Sequence, residues 1–114
     1  VLPCCYTGFT FVKTKTETLN MSMQFRSSDV FLGLPYDVIV GALFLHEIAK
    51  QTNLKPGHFS LDLSNAHVSR NHLGPILRYM DRPIHKLPTY TYPYGLTEYT
   101  TEKLITAEFN GVMS

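Results

Sequence analysis

No hydrophobic run in these 114 residues approaches the roughly 18 consecutive apolar positions that a bilayer-spanning helix requires. Charge of one sign is equally scarce. Ten Lys and Arg stand against nine Asp and Glu, a formal net charge of +1, which argues against a protein that grips nucleic acid with a basic face. Cysteine is limited to the adjacent pair Cys4-Cys5. Two neighbouring thiols are not a disulfide framework, so a reducing, cytoplasmic setting is the expectation. Internal repeats and low-complexity segments are missing too. What remains, 44% hydrophobic and only 17% charged residues, is the composition of a globular chain. Its length permits one domain at most.

The chain reads as interspersed strands and helices. From Tyr6 to Lys15 the residues alternate, with Phe9, Phe11 and Lys13 on one side and Gly8, Thr10 and Val12 on the other. That is strand periodicity, and it returns at Leu19, Met21, Met23 and Phe25 after a polar turn at 14–18. The two strands predict a β-hairpin. A helix is expected over 37–52, with Pro35 near its start and Asp37 placed to cap it. Its first half, Val38 to Leu45, is apolar on all sides and predicts burial, whereas Glu47, Lys50 and Gln51 make the second half polar. Asn53-Leu54-Lys55-Pro56-Gly57 is a turn signal, and 58–63 alternates as a third strand. Ser64-Asn65 suits the cap of a short helix through His67 and His72, and 73–80 reads as helical with Pro75 in its first turn. Residues 81–88 read as irregular, 89–92 and 104–109 as further strands. The expected class is α+β, a mixed sheet packed on a long buried helix.

Between hairpin and helix lies Arg26-Ser27-Ser28-Asp29-Val30-Phe31-Leu32-Gly33-Leu34-Pro35-Tyr36-Asp37. A cation, hydroxyls and backbone amides suit an anionic group such as a phosphate, and a carboxylate reads donors on a heterocycle. The same stretch also reads as a solvated turn ahead of a helix. Cys5 is a candidate nucleophile if a cation such as Arg26 favours its thiolate, and an inert core thiol otherwise. A redox pair with Cys4 is a further possibility. His67 and His72, five apart with no C-x-x-C, give little basis for zinc, so no metal is expected.

This stretch resembles the nucleotide-binding segment of the thymidylate synthase family, Q-R-S-x-D-V-F-L-G-L-P-F-N. Leu2-Pro3-Cys4-Cys5-Tyr6 likewise resembles the family's L-P-P-C-H, which puts Cys5 on the nucleophile. The resemblance covers nearly all of 1–114 and implies the C-terminal half of that fold, an incomplete catalytic domain that continues upstream of Val1. In such an enzyme a thiolate adds to C6 of a pyrimidine, making C5 nucleophilic towards the one-carbon unit of 5,10-methylenetetrahydrofolate. By the same resemblance Arg26 and Ser27 hold the phosphate and His67 the sugar 3′-hydroxyl. Asp29 serves both nucleotide and folate pterin, while Leu32, Gly33 and Tyr36 line the folate side. A homodimer with arginines crossing between subunits is also implied.

Departures from the pattern are informative. Cys4 replaces a Pro, Tyr6 a His, Phe25 a Gln, and Ser69 the Tyr of the sugar site. Asp37 replaces the Asn that reads the pyrimidine. A carboxylate is acceptor-only when ionised and suits the exocyclic amine of cytosine. The expected substrate is therefore a cytidylate, for a deoxycytidylate hydroxymethylase or methyltransferase. The alternatives are an ordinary thymidylate synthase acting on deoxyuridylate, and a non-catalytic binding or structural fragment.

Overall fold

The computed structural model describes residues 3–84. The strands expected at 89–92 and 104–109, and the second half of the irregular 81–88, lie outside the described residues. The chain divides into two compact units, Val1–Met80 and Asp81–Ser114, and the fold below is that of the first. In chain order it comprises β1 (Tyr6–Lys13), β2 (Thr18–Phe25), β3 (Ser28–Asp29), α1 (Leu34–Gln51), β4 (Lys55–Leu63), β5 (Ala66–His67), a 3-10 turn at Arg70–His72 and α2 (Leu73–Met80). The α+β class is as expected.

The hairpin forms as its alternation predicts. Phe9 pairs with Met23, Phe11 with Met21 and Lys13 with Leu19, antiparallel. In the turn, Thr14 N donates to Thr18 O at 2.8 Å and Thr14 Oγ1 accepts from Thr18 N. Glu17 takes a positive φ of 57° to close it. β4 then joins the other side of β2 in parallel, giving the order β1-β2-β4. A parallel neighbour needs a crossover, and α1 is that crossover.

Period-two burial is complete in β2. Leu19, Met21, Met23 and Phe25 are at most 6% exposed, and Leu19 and Met21 share a cluster with Leu45 and Ala49 of α1. Each such side chain contributes about 1.5–3 kcal/mol through burial. Phe9 and Phe11 reach the same side, meeting Phe44 edge-on at centroid distances of 5.4 and 5.7 Å.

Several expectations need correction. The helix begins at Leu34, not Asp37, because Pro35 is accommodated in its first turn, where no N–H is required. Gly33 precedes it without a side-chain cap, so Asp37 does not cap the helix. The first half of α1 is not buried on every side: Gly41 and Leu45 are buried, but Val38, Ile39 and Val40 are 40–52% exposed, since the sheet covers one face of the helix only. The polar second half contains a buried residue instead, Glu47, whose carboxylate accepts from Gln51 Nε2 at 2.8 Å.

The third strand starts at Lys55 rather than His58. Pro56 is tolerated because β4 lies at the edge of the sheet formed by the described residues, and Pro56 stands near its start. Asn20 Oδ1 accepts from His58 N at 2.9 Å where the β2–β4 register shifts, passing over Gly57, which has no side chain to obstruct it. Finally, His67 belongs to a strand and not to a capped helix; only Arg70–His72 coils, as a 3-10 turn leading into α2.

Gly41 sets how closely α1 approaches β4. A Cβ there would lie against the tip of the Phe59 ring, with Cε1 and Cε2 both 2.9 Å away. Gly→Ala inside a helix normally stabilises by up to about 1 kcal/mol. Here Gly41→Ala should destabilise instead, by about 1–3 kcal/mol from overpacking. Urea denaturation decides by sign, and a gain in stability would mean that the helix does not rest on Phe59.

Candidate functional site

The loop after β2 is held by its own Asp29. The Asp29 carboxylate accepts from Phe31 N at 2.9 Å and Leu32 N at 3.2 Å, and its carbonyl accepts from Gly33 N at 2.9 Å. An Asx-type turn of this kind favours Asp on local grounds. Gly33 is needed for closeness rather than dihedral freedom, since a Cβ would sit 3.1 Å from Asp29 O. The loop then leads directly into α1.

β3 and β5 make a two-residue parallel ladder, Ser28 with Ala66 and Asp29 with His67. Ser28 N donates to Asn65 O at 3.0 Å and Val30 N to His67 O at 2.9 Å. Asn65 Nδ2 also lies 3.4 Å from Ser27 Oγ. Residues almost forty positions apart are thereby fixed side by side. His67 itself is exposed, its Nδ1 3.4 Å from Asn65 O. Ser69 is half-buried, and its backbone carbonyl receives His72 N at the start of the 3-10 turn.

At the other end of the loop Arg26 meets the segment around the cysteines. Its backbone N–H donates to Cys5 O at 3.0 Å, and Nε donates to Cys4 O at 3.2 Å. Nη2 donates to Pro3 O. A guanidinium has five N–H donors, so these bonds use part of it and tie the Pro3–Cys5 segment to the loop. Cys4 and Cys5 are both exposed free thiols. Leu32 and Tyr36 are exposed as well, at 51% and 72%.

Asp37, on the first turns of α1, turns back towards the strands. Oδ1 accepts from Tyr6 Oη at 3.1 Å and Oδ2 from Ser28 Oγ at 3.2 Å. The structure thus brings Asp37 to Ser28 of the loop and to the residue following Cys5. Tyr6 is held against Phe25, with ring centroids 4.7 Å apart. Burial, then the Asp37 contact, pushes its phenol above the usual 10.0. Sequence reasoning noted Tyr6 only as a departure from the resembled pattern. Its signal was available, because Tyr6 and Asp37 both depart from the resembled pattern. Ser28 was given no role of its own, and Asn65 and His72 were weighed only as a helix cap and for zinc. His72 Nδ1 lies 3.9 Å from Asp29 Oδ2, with its ring against Phe31. Among the described residues, no three His, Cys, Asp or Glu gather as a metal site, and no helix is long and apolar enough to cross a membrane.

A loop of hydroxyls, amides and a carboxylate, tied to the backbone of the cysteine segment and to a histidine from a later strand, belongs to the class of loops whose donors suit an anionic group. Comparison with known proteins makes the class specific. The family model described as thymidylate synthase matches residues 1–110. The chain is 36% identical over 87 residues to the thymidylate synthase of Leuconostoc mesenteroides subsp. mesenteroides, a match covering 76% of this chain and 27% of the relative. It is 35% identical over 88 residues to those of Oenococcus oeni and Mycoplasma pneumoniae, covering 77% of this chain and 27% and 30% of the relatives. The chain belongs to the thymidylate synthase family. It spans less than a third of the length of these curated relatives.

The Asp29 carboxyl is held below its usual value of 3.8, first by the Leu32 amide, then by the Phe31 amide and the nearby His72 and His67. A carboxyl whose folded pKa is lowered contributes stability fully above the unfolded value and loses it as pH falls through the folded one. Asp29→Ala should therefore lower the melting temperature at neutral pH and flatten the acid limb below about pH 4. Melting curves recorded from pH 7 down to 2 measure both, and an unaltered acid limb would mean that the turn does not depend on this carboxylate.

Proposed function

We propose that this chain is the nucleophile-bearing segment of an enzyme that transfers a one-carbon unit from methylenetetrahydrofolate to C5 of a pyrimidine nucleoside monophosphate. The methylation of deoxyuridylate to thymidylate is the favoured reaction. The observation that carries the reading is the β3–β5 ladder, which sets the Arg26–Asp37 loop beside His67. Cys5 is the nucleophile: its thiolate adds to C6, and C5 then attacks the activated carbon of the folate. Arg26 and Ser27 hold the phosphate and His67 the 3′-hydroxyl, with Ser69 beside the sugar.

The folate side is supported by chemistry visible on the surface. A pterin has apolar faces and a donor-rich edge. Exposed Leu32 and Tyr36 lie in the same loop-to-helix segment as the Asp29 carboxylate, and Gly33 lets the backbone pack without a side chain in the way. A cytoplasmic homodimer belongs to the same reading.

The names of the relatives favour deoxyuridylate over the cytidylate expected from Asp37 alone, so that expectation becomes the second reading. It is favoured by the carboxylate of Asp37, which as an ion can only accept. Hydroxymethylation in place of methylation goes with it.

Trapping by 5-fluorodeoxyuridylate with methylenetetrahydrofolate, followed by mass spectrometry of the complete protein, tests the nucleophile. The adduct should form on the peptide containing Cys5, fall to background in Cys5→Ser, and persist within about twofold in Cys4→Ser. Equal loss in both variants would reassign the site to the thiol pair.

A further inference from the structure

Two of the departures from the family pattern touch each other. Tyr6 stands where the pattern has His, directly after Cys5, and Asp37 where it has Asn. The phenol of Tyr6 donates to Asp37 Oδ1 at 3.1 Å, and Ser28 Oγ donates to Oδ2 at 3.2 Å. Phe25, at a centroid distance of 4.7 Å, and Phe9, at 6.1 Å, restrain the Tyr6 ring, so its hydroxyl is held at this place. Both Tyr6 and Asp37 are half-buried and keep some access to solvent.

An Asn side chain carries a donor and an acceptor on one amide, the complement of the N3–H and O4 edge of uracil. Asp retains the acceptor and loses the donor. On that ground alone Asp37 would reject uracil. The Tyr6 hydroxyl restores what is missing, because it brings an O–H donor to the same carboxylate from a different strand.

We propose that Tyr6 and Asp37 act as one base-reading pair that selects uracil, the carboxylate accepting N3–H and the phenol donating to O4. The pair rests on the pyrimidine-nucleotide reading given above. In the free protein the phenol's proton is directed at Asp37, and on binding it turns from Oδ1 to the base oxygen. Ser28 keeps the other carboxylate oxygen in place while this happens. Cytosine would set its amine against the phenol's proton and its N3 lone pair against the carboxylate, so it is disfavoured at both positions. The phenol remains protonated through neutral pH, since burial and Asp37 raise it above its usual value. It therefore remains a donor under working conditions.

The test compares binding of deoxyuridylate and deoxycytidylate to the complete protein by calorimetry, alongside kcat/KM from tritium release at C5. The unmodified protein should prefer deoxyuridylate. Tyr6→Phe keeps the ring contacts and removes only the hydroxyl, so it should fold cooperatively, with at most a small drop in melting temperature from the lost bond to Asp37. It should lower the uridylate-to-cytidylate ratio roughly tenfold to a hundredfold, the usual effect of leaving a buried polar group unmatched. Adding Asp37→Asn to Tyr6→Phe returns the donor to position 37 and should restore the ratio. An unchanged ratio in Tyr6→Phe, or an equal loss for both nucleotides without rescue, would overturn the pair. A preference of the unmodified protein for deoxycytidylate would overturn the assignment to uracil while leaving the pyrimidine reading intact. Binding of neither nucleotide would overturn both.

Discussion

Everything at this site depends on Asp29 holding the loop in one shape. Its side chain takes up the amides of Phe31 and Leu32, its carbonyl takes up Gly33 N, and its backbone pairs with His67. Backbone amides without partners would otherwise make a loop of this length a set of alternatives. One residue thus closes the turn, starts α1 at the right point and recruits a strand from beyond β4. A group so committed to structure can still contact a ligand, because Oδ2 is engaged only by His72 at 3.9 Å among its described contacts.

The scaffold beneath supplies rigidity in proportion to its packing. α1 lies close to the sheet where Gly41 admits the Phe59 ring, and Leu45 and Ala49 complete the contact with Leu19 and Met21. The mouth of the same helix is anchored differently, by hydrogen bonds from Tyr6 and Ser28 to Asp37. The site therefore sits where the apolar contact gives way to a polar one. That boundary suits a ligand that must displace or redirect hydrogen bonds without disturbing the core.

Much of this was readable from the chain, for identifiable reasons. Strand β2 declares itself through Leu19, Met21, Met23 and Phe25, because one buried face forces period two. The family was legible from its motif, and the loop before α1 from its residue types and order. What could not be read depends on distant partners. The two-residue strands β3 and β5 are too short to show a period, so His67 was assigned to a helix that does not form. The burial of α1 was misjudged, because an all-round apolar face does not say how much of it a three-stranded sheet can cover. Asp37 was placed as a cap because Asp near a proline usually is one; its partners Tyr6 and Ser28 come from other strands. Tyr6 shows the same limit: it stands next to the proposed nucleophile in sequence, and its proposed role rests on a contact 31 residues away.

Hydrogen–deuterium exchange on the complete protein, with and without deoxyuridylate, tests most directly whether the loop and the later strand form one nucleotide site. The amides of Ser28 and Val30 are bonded to Asn65 and His67, so a ligand gripping both segments should slow exchange in 26–37 and 65–69 together. Joint protection of those two segments is the predicted result. Protection of one segment without the other, or protection confined to the hairpin strand β1, would contradict it.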